Sequence, residues 1–235
     1  MAADTAGGKL PQHRKQRMTA KLIALEGVDG VGKQTQALLL RNSLRERGLA
    51  SEVISFPQYG LTAGARIVTS YLTGQQELNT EELAFAYAMD RFEGKPRLAA
   101  MRARNDVVIC DRYSYSNIAY QSARRSPSLS ASRRYYELEF SYAAMPRVDL
   151  AIHLAVGGAW EPLESRLKAR GDRDANERDT AFLRRVETTY RRIAEAFPRD
   201  WASVPAMEGS PEEIHENVLA HVLRCIGEEP ATSTT

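Results

Sequence analysis

The feature that most constrains this chain is a glycine-rich loop between an apolar run and a leucine-rich segment. The apolar run, residues 21–26, leads directly into the loop GVDGVGKQT, residues 27–35, and a helical pattern follows. Three glycines let the backbone curl so that successive N–H groups point at one anion, and the N-terminus of the next helix adds partial positive charge. Lys33 stands where a lysine reaches the β- and γ-phosphates of a nucleoside triphosphate. The sequence therefore predicts a phosphate-binding loop, or P-loop, that takes ATP.

One position of the P-loop departs from the common pattern G-x-x-x-x-G-K-S/T. Gln34 occupies the place of the hydroxyl that usually binds magnesium, and Thr35 follows one residue later. Thr35 is a candidate contact for the α-phosphate. Two functions stay open for Asp29 inside the loop: it holds Mg2+ directly or through water, or it accepts hydrogen bonds from the sugar of the acceptor. A solvated loop carboxylate with neither function is the alternative.

Short apolar runs alternate with helix-length segments along the chain. Runs that are apolar on both faces are typical of buried parallel strands. Alternation of strand and helix predicts a doubly wound α/β domain. The predicted strands are residues 21–26, 52–56, 106–110, 149–154 and 203–207. The predicted helices are residues 33–47, 63–72, 81–104, 114–122, 130–144, 162–170, 180–196 and 211–226.

Length and composition indicate one domain and exclude several classes of partner. We place the domain at residues 19–228, between a polar, basic leader (1–18) and a polar tail (229–235) that we expect to be disordered. The 32 Lys and Arg residues nearly balance the 30 Asp and Glu residues, which argues against a nucleic-acid partner. No apolar run reaches the roughly 18 residues of a membrane span, and the two isolated cysteines fit a reducing compartment. We therefore expect a cytoplasmic protein with no membrane partner.

Polar and aromatic residues follow the second and third predicted strands. Phe56 ends the second predicted strand and Tyr59 follows it, while Asp111 and Arg112 follow the third. In a doubly wound sheet the site lies beyond the carboxyl ends of the strands, so these residues should share one rim. Arg112 is placed to bind the acceptor phosphate and the transferring group together, and Asp111 to meet magnesium through water. The alternative is an Asp-Arg pair that only caps a helix.

Two pairs of residues at helical spacing add to this rim. Tyr87 and Arg91 are four apart, and Asn117 and Tyr120 are three apart, so each pair shares a helix face. An aromatic ring beside a guanidinium can stack on a base and bind its phosphate or carbonyl. Each residue taken alone is as often part of the core or the surface. Their joint placement favours an acceptor site.

A basic segment, residues 166–173, precedes the polar stretch 174–179. Together they predict a lid, residues 166–179, that closes over the phosphates of ATP and excludes water. Closure would place an arginine on the developing charge. A solvated basic helix end is the alternative.

These motifs together resemble those of thymidylate kinases. The resemblance covers about residues 20–228 and rests, in chain order, on EGVDGVGKQT, FPQYG, AYAMDRFE, DRYSYSNIAY and RLKARG. It implies an α/β fold, a P-loop NTPase with three α/β/α layers and a five-stranded parallel sheet in the order 2-3-1-4-5. It also implies a homodimer and the phosphorylation of dTMP to dTDP by ATP, with Mg2+ as cofactor. No strong general base is required, because a phosphate oxygen of dTMP is already anionic.

The resemblance also implies a function for individual residues. Tyr87, at a usual phenylalanine position, would stack on thymine, while Arg91 would contact the base and phosphate. Asn117 resembles a base-edge contact, and Tyr120 a contact beside the 2′ position that favours deoxyribose. Glu177 resembles a carboxylate that follows the lid, although Asn176 replaces a frequent tyrosine. Because this P-loop has no arginine, the lid must supply one, with Arg170 the first candidate and Arg166 the second.

The candidate residues fall into four groups. The predicted catalytic residues are Lys33, Arg112, Asp29 and Arg170. The predicted ATP contacts are Gly27, Asp29, Gly30, Gly32, Lys33, Gln34, Thr35, Arg166 and Arg170. The predicted dTMP contacts are Asp29, Phe56, Tyr59, Tyr87, Arg91, Arg112, Ser116, Asn117, Tyr120 and Glu177. The predicted metal ligands are Asp29, Asp111 (through water) and Glu177.

Three other functions are compatible with parts of the pattern. A deoxynucleoside kinase would need a carboxylate to receive a hydroxyl proton and no phosphate clamp at Arg91 and Arg112. Another nucleoside monophosphate kinase, acting on dUMP or a purine monophosphate, is the second alternative. A non-catalytic ATP-binding protein is favoured only by Gln34, and a GTPase switch is disfavoured because the chain contains no N-K-x-D motif.

Overall fold

The computed structural model describes residues 19–125, 129–171 and 174–228. The predicted leader and tail, and Asp172 and Arg173 of the predicted lid, lie outside the described residues. In chain order the elements are β1 (Lys21–Glu26), α1 (Lys33–Glu46), β2 (Ser51–Ser55), α2 (Ala63–Leu72), α3 (Thr80–Arg104), β3 (Val107–Asp111), α4 (Ser114–Arg125), α5 (Leu129–Glu137), a π-helix (Leu138–Tyr142), β4 (Leu150–Ala155), α6 (Trp160–Ala169), α7 (Thr180–Ala196), β5 (Trp201–Pro205) and α8 (Pro211–Ile226). None of the described helices is both long and apolar enough to cross a membrane.

Five parallel strands form one sheet in the order β2-β3-β1-β4-β5. This confirms the predicted fold and strand order. Side chains of the central strands, such as Leu22, Ile109 and Ile152, are fully buried because helices cover the sheet. β1 lies between β3 and β4, so the loop after β1 and the turn after β3 emerge side by side. The Arg112 N–H donates to Leu25 O at 3.1 Å and joins the two strand ends.

Several predicted bounds are wrong: α4 continues three residues beyond the predicted 114–122, and α6 begins two residues before the predicted 162–170. Two further differences have an evident physical reason. The predicted strand 203–207 begins two residues earlier, because Trp201 pairs with Ala151 and its ring packs against the ring of Tyr115. The predicted helix 130–144 breaks after Glu137 into the π-helix. There the Ala143 N–H donates to Leu138 O, five residues back, at 2.8 Å. The apolar periodicity contains no signal for this wider turn.

α2 and α3 pack together and form a small apolar cluster of their own around Val68, Leu83 and Ala86. Gly64 makes this close approach possible, since a Cβ built on it would lie 2.6 Å from Ala86 O. The packing positions one face of α3 over the carboxyl end of the sheet.

Candidate active site

The loop of residues 27–35 has the backbone shape of a phosphate cradle. Gly32 precedes α1 with a φ of 96°, and no side chain caps the first turn of that helix. The N–H groups of this turn are therefore available to an anion. Gly30 has a φ of 85° and lies against α6, where a Cβ would come within 2.8 Å of Leu167 and 2.9 Å of Leu163. Both loop positions require glycine.

Lys33, the predicted phosphate-binding lysine, is buried at the mouth of the cradle. Its Nζ donates to Val28 O at 2.7 Å. Burial lowers the pKa of Lys33 to about 8, and the nearby charge of Arg112 adds to the effect. At neutral pH the ammonium group is still charged, and a triphosphate would offer it a better partner than one carbonyl.

A pocket of about 520 Å3 lies over the P-loop, and we call it the donor pocket. Its size suits a nucleotide. Its lining residues are Asp29, Gly30, Val31, Gly32, Lys33, Gln34, Thr35, Gln36, Asp111, Arg112, Arg166, Arg170, Ala206, Gly209, Pro211 and Ile214. Every predicted ATP contact except Gly27 is among them. Gly27 lies behind the pocket, where a Cβ would meet Leu154 O at 2.7 Å.

Arg112 lies where the donor pocket meets a second cavity. Its guanidinium donates to Gly27 O at 3.1 Å and to Ser116 Oγ at 3.3 Å, and forms an ion pair with Asp29. Tyr120 donates its hydroxyl to the other oxygen of Asp29 at 2.7 Å. Burial favours the neutral acid, but the charges of Arg112 and Lys33 outweigh it and lower the pKa of Asp29.

The second cavity, which we call the acceptor cleft, contains nine of the ten predicted dTMP contacts. Its lining residues are Asp29, Phe56, Pro57, Tyr59, Leu72, Tyr87, Arg91, Arg112, Ser116, Asn117, Tyr120, Gln121, Asp174 and Asn176. The cleft encloses about 50 Å3, less than the roughly 300 Å3 of an ordinary ligand pocket. The cleft is therefore narrow in this structure, and its lining includes the exposed Tyr59.

Arg91 and Asn117 form the buried inner wall of the acceptor cleft. The Arg91 Nε donates to Glu139 at 2.8 Å, and Nη2 donates to the other oxygen of the same carboxylate. The Asn117 Nδ2 donates to Glu139 at 2.6 Å and to Ala84 O at 2.9 Å. Asn117 Oδ1 is buried and has no hydrogen-bond partner among the described residues. Glu139 thus occupies two of the five N–H groups of Arg91, and the remaining donors are available to a ligand in the cleft.

Some of the predicted lid residues line the donor pocket, and others line the acceptor cleft. Arg166 donates to Gly30 O at 3.2 Å, and Arg170 donates to Glu177 at 3.2 Å, while both arginines line the donor pocket. Glu177 does not line the acceptor cleft, where Asp174 and Asn176 lie instead. Asp174 was not predicted as a cleft residue, although its place three residues before Glu177 was an available signal.

Glu26 is a second residue that sequence reasoning missed. Its fully buried carboxylate accepts from the Tyr113 N–H at 3.0 Å, from Ser116 Oγ at 2.6 Å and from the Tyr190 hydroxyl at 3.0 Å. Burial raises the pKa of Glu26. A glutamate at the end of an apolar strand, directly before the P-loop, was the signal that could have revealed it. These bonds fix the turn that carries Arg112.

The carboxylates near the phosphate sites can be tested against a magnesium ion. In the described parts of the chain, no three His, Cys, Asp or Glu side chains cluster as a preformed metal site. Mg2+ usually keeps several waters and binds one or two carboxylates with substrate phosphates, so no such cluster is needed. Both oxygens of Asp29 are engaged by Arg112 and Tyr120, whereas Asp111 lines the donor pocket. The residues present therefore fit Mg2+, with Asp111 best placed.

Comparisons with known proteins agree with this geometry. The family model for thymidylate kinase matches residues 25–218. The thymidylate kinase of Mycobacterium tuberculosis (strain ATCC 25618 / H37Rv) is 34% identical over 182 residues, covering 74% of this chain and 85% of that protein. A probable thymidylate kinase of Pyrococcus abyssi is 33% identical over 212 residues, covering 87% and 97%. In fold, the chain is similar to a solved thymidylate kinase from Candida albicans, with a TM-score of 0.69 at 21% identity over 88% of this chain and 94% of that one. The chain therefore belongs to the thymidylate kinase family.

Proposed function

We propose that this protein transfers the γ-phosphoryl group of ATP to dTMP and releases ADP and dTDP. The observation that carries the proposal is the position of Arg112, which lines both the donor pocket and the acceptor cleft. One guanidinium there neutralises two anionic groups that would otherwise repel each other. The catalytic need is thus for positioning and charge neutralisation, and the acceptor phosphate itself is the nucleophile.

The inner wall of the acceptor cleft supports a pyrimidine with a C4 carbonyl and an N3–H. Arg91 contributes only donors, and Asn117 Oδ1 is an acceptor without a partner among the described residues. A donor beside an acceptor complements thymine, which presents O4 and N3–H, and mismatches cytosine, which presents an amino group there. Tyr87 lines the same cleft and is available to stack on the ring.

Three groups would stabilise the charge that develops during transfer. Lys33 and the first turn of α1 bind the β- and γ-phosphates, and Arg166 or Arg170 reaches the transferring group from α6. Mg2+, when bound, would neutralise charge on the phosphate oxygens. Asp111 would hold it through water, with Asp29 and Glu177 as the weaker candidates.

We also propose that two copies of the chain form a dimer through the outer face of α3. Phe85 and Phe92 lie seven residues apart on one side of this helix and are 61% and 55% exposed. Two large exposed aromatic side chains on one face indicate a protein interface.

The cytoplasmic location predicted from the sequence also stays a prediction.

An ADP-release assay with ATP and Mg2+ tests the proposed reaction across dTMP, dUMP, dCMP, dGMP and thymidine. We expect the highest kcat/KM for dTMP, weaker turnover of dUMP and little of the others. Turnover of thymidine with dTMP inert would instead identify a deoxynucleoside kinase. ATP binding without ADP release for any acceptor would identify a non-catalytic protein.

A further inference from the structure

Glu139 is a fully buried carboxylate in the π-helix, and it lies directly behind the acceptor cleft. It accepts three hydrogen bonds: two from Arg91 and one from Asn117. It is not among the residues that line the cleft. Its three partner atoms belong to the two residues that form the inner wall.

The first consequence concerns the amide of Asn117. An ionised carboxylate only accepts hydrogen bonds, so Glu139 must face the NH2 group of this amide. The carbonyl of Ala84 accepts from the same NH2 group. The opposite end of the amide, Oδ1, therefore faces away from Glu139 as an acceptor.

The second consequence concerns the charge of Arg91, whose side chain is buried. Burial would lower the pKa of Arg91, but the charge and hydrogen bonds of Glu139 outweigh it. A buried guanidinium without a counter-ion is costly, and the paired geometry keeps its planar fork in one orientation. Glu139 thus fixes both the donor and the acceptor of the inner wall.

We propose that Glu139 is a positioning residue that sets the base specificity of the acceptor cleft. It holds Arg91 as a donor next to Asn117 Oδ1 as an acceptor, the pattern that accepts the O4/N3–H edge of thymine or uracil and rejects cytosine. The π-helix is the structural device that brings Glu139 inward, because its wider turn rotates this residue towards α3 and α4. This inference rests on the proposed function and adds to it the residue that selects the base.

The test is the ratio of kcat/KM for dTMP to that for dCMP, measured on one preparation of Glu139→Gln. An inactive or unfolded fraction cancels in this ratio, so a purely structural defect leaves it unchanged. A glutamine side chain both donates and accepts hydrogen bonds, so the amide of Asn117 can rotate and exchange its oxygen and nitrogen. The charge of Arg91 also loses its counter-ion. We expect the ratio to fall at least about tenfold, mainly through a higher KM for dTMP.

Glu137→Gln is the matched control, since Glu137 is a half-buried residue of α5 whose side chain is 46% exposed and whose ion pair among the described residues is with Arg133. Its ratio should equal that of the wild type. If Glu139→Gln does not fold, Glu139→Asp supplies the ratio, because it keeps Arg91, Asn117 and the buried negative charge but withdraws the carboxylate from both partners by one methylene group. A wild-type ratio in whichever variant folds overturns the proposal. Wild-type protein that turns over no dTMP overturns the proposed function itself, and this inference with it.

Discussion

At the scale of single residues, Arg112 combines an unusual backbone conformation with the central position in the site. Its φ of 65° lies in the left-handed region that residues with a Cβ rarely adopt. Bonds from its own N–H to Leu25 and from the following N–H to Glu26 hold this conformation in place. Strain of this kind persists where the surrounding structure over-determines it, and it often marks a functional position.

Replacing Arg112 with alanine should remove the bridge between the two phosphate sites. We expect kcat to fall by at least about 10³-fold, the effect of losing an arginine that stabilises phosphoryl transfer. The dissociation constant for ATP should change far less, because the P-loop and Lys33 remain. Steady-state kinetics with calorimetric ATP titration measures both quantities. Near-normal kcat would remove Arg112 from the mechanism.

Lys33 should make ATP binding depend on pH. With a pKa of about 8 in the free protein, its ammonium group is present below pH 8 and is lost as the pH rises. A bound triphosphate favours the charged form, so binding at pH 9 must take up a proton and weaken by up to about tenfold per pH unit. Calorimetry in buffers of different ionisation enthalpy would detect this uptake. Lys33→Met should bind weakly at every pH without it.

The residues that line the acceptor cleft were easier to predict from the sequence than the buried residues that hold them in place. Tyr87 and Arg91 could be paired because helical spacing places side chains on one face irrespective of the rest of the fold. Glu139 could not be paired with Arg91, since the two lie 48 positions apart and Glu139 belongs to a π-helix that the sequence pattern does not indicate. Asp174, and not the predicted Glu177, lines the acceptor cleft because of the loop geometry. Hydrophobic periodicity carries no information on that geometry.

At the scale of elements, the close packing of α2 on α3 depends on Gly64, which has no side chain. Gly64→Ala would place a methyl group against the backbone of α3 near Ala86 and Asp90. We expect a loss of about 1–3 kcal/mol of unfolding free energy, seen by calorimetry as a Tm lower by several degrees. Gly158→Ala is the control, because nothing lies within 4 Å of its Cβ position. Equal Tm values for the two variants would contradict the packing argument.

Strand order and strand positions were predictable because fully buried parallel strands have a strong apolar signature. Edge strand β5 was the weakest prediction, since only Trp201, Ala202 and Val204 of its five residues are buried. The π-helix was missed for a different reason. Its sequence continues an ordinary helical pattern, and tertiary contacts of Glu139 decide the local geometry.

At the scale of the whole molecule, the proposed dimer makes a prediction about α3. Phe92→Glu places a charge in the proposed interface and should shift sedimentation from dimer to monomer. Tyr142→Glu is the control, because this residue is 80% exposed but lies in the π-helical segment Leu138–Tyr142 and not on α3. Dissociation by Tyr142→Glu alone would move the interface to that segment.

The contact between Gly30 and α6 joins the P-loop to the helix that carries the lid arginines. Leu163 and Leu167 rest on the P-loop, and the same helix carries Arg166, while Arg170 caps its end. Apolar contact between α6 and the P-loop therefore sets the spacing between the cradle and the arginines in this structure. A methyl group added at Gly30 would push α6 away from the P-loop and change that spacing. The arginines would then lie farther from the transferring phosphoryl group and stabilise its charge less.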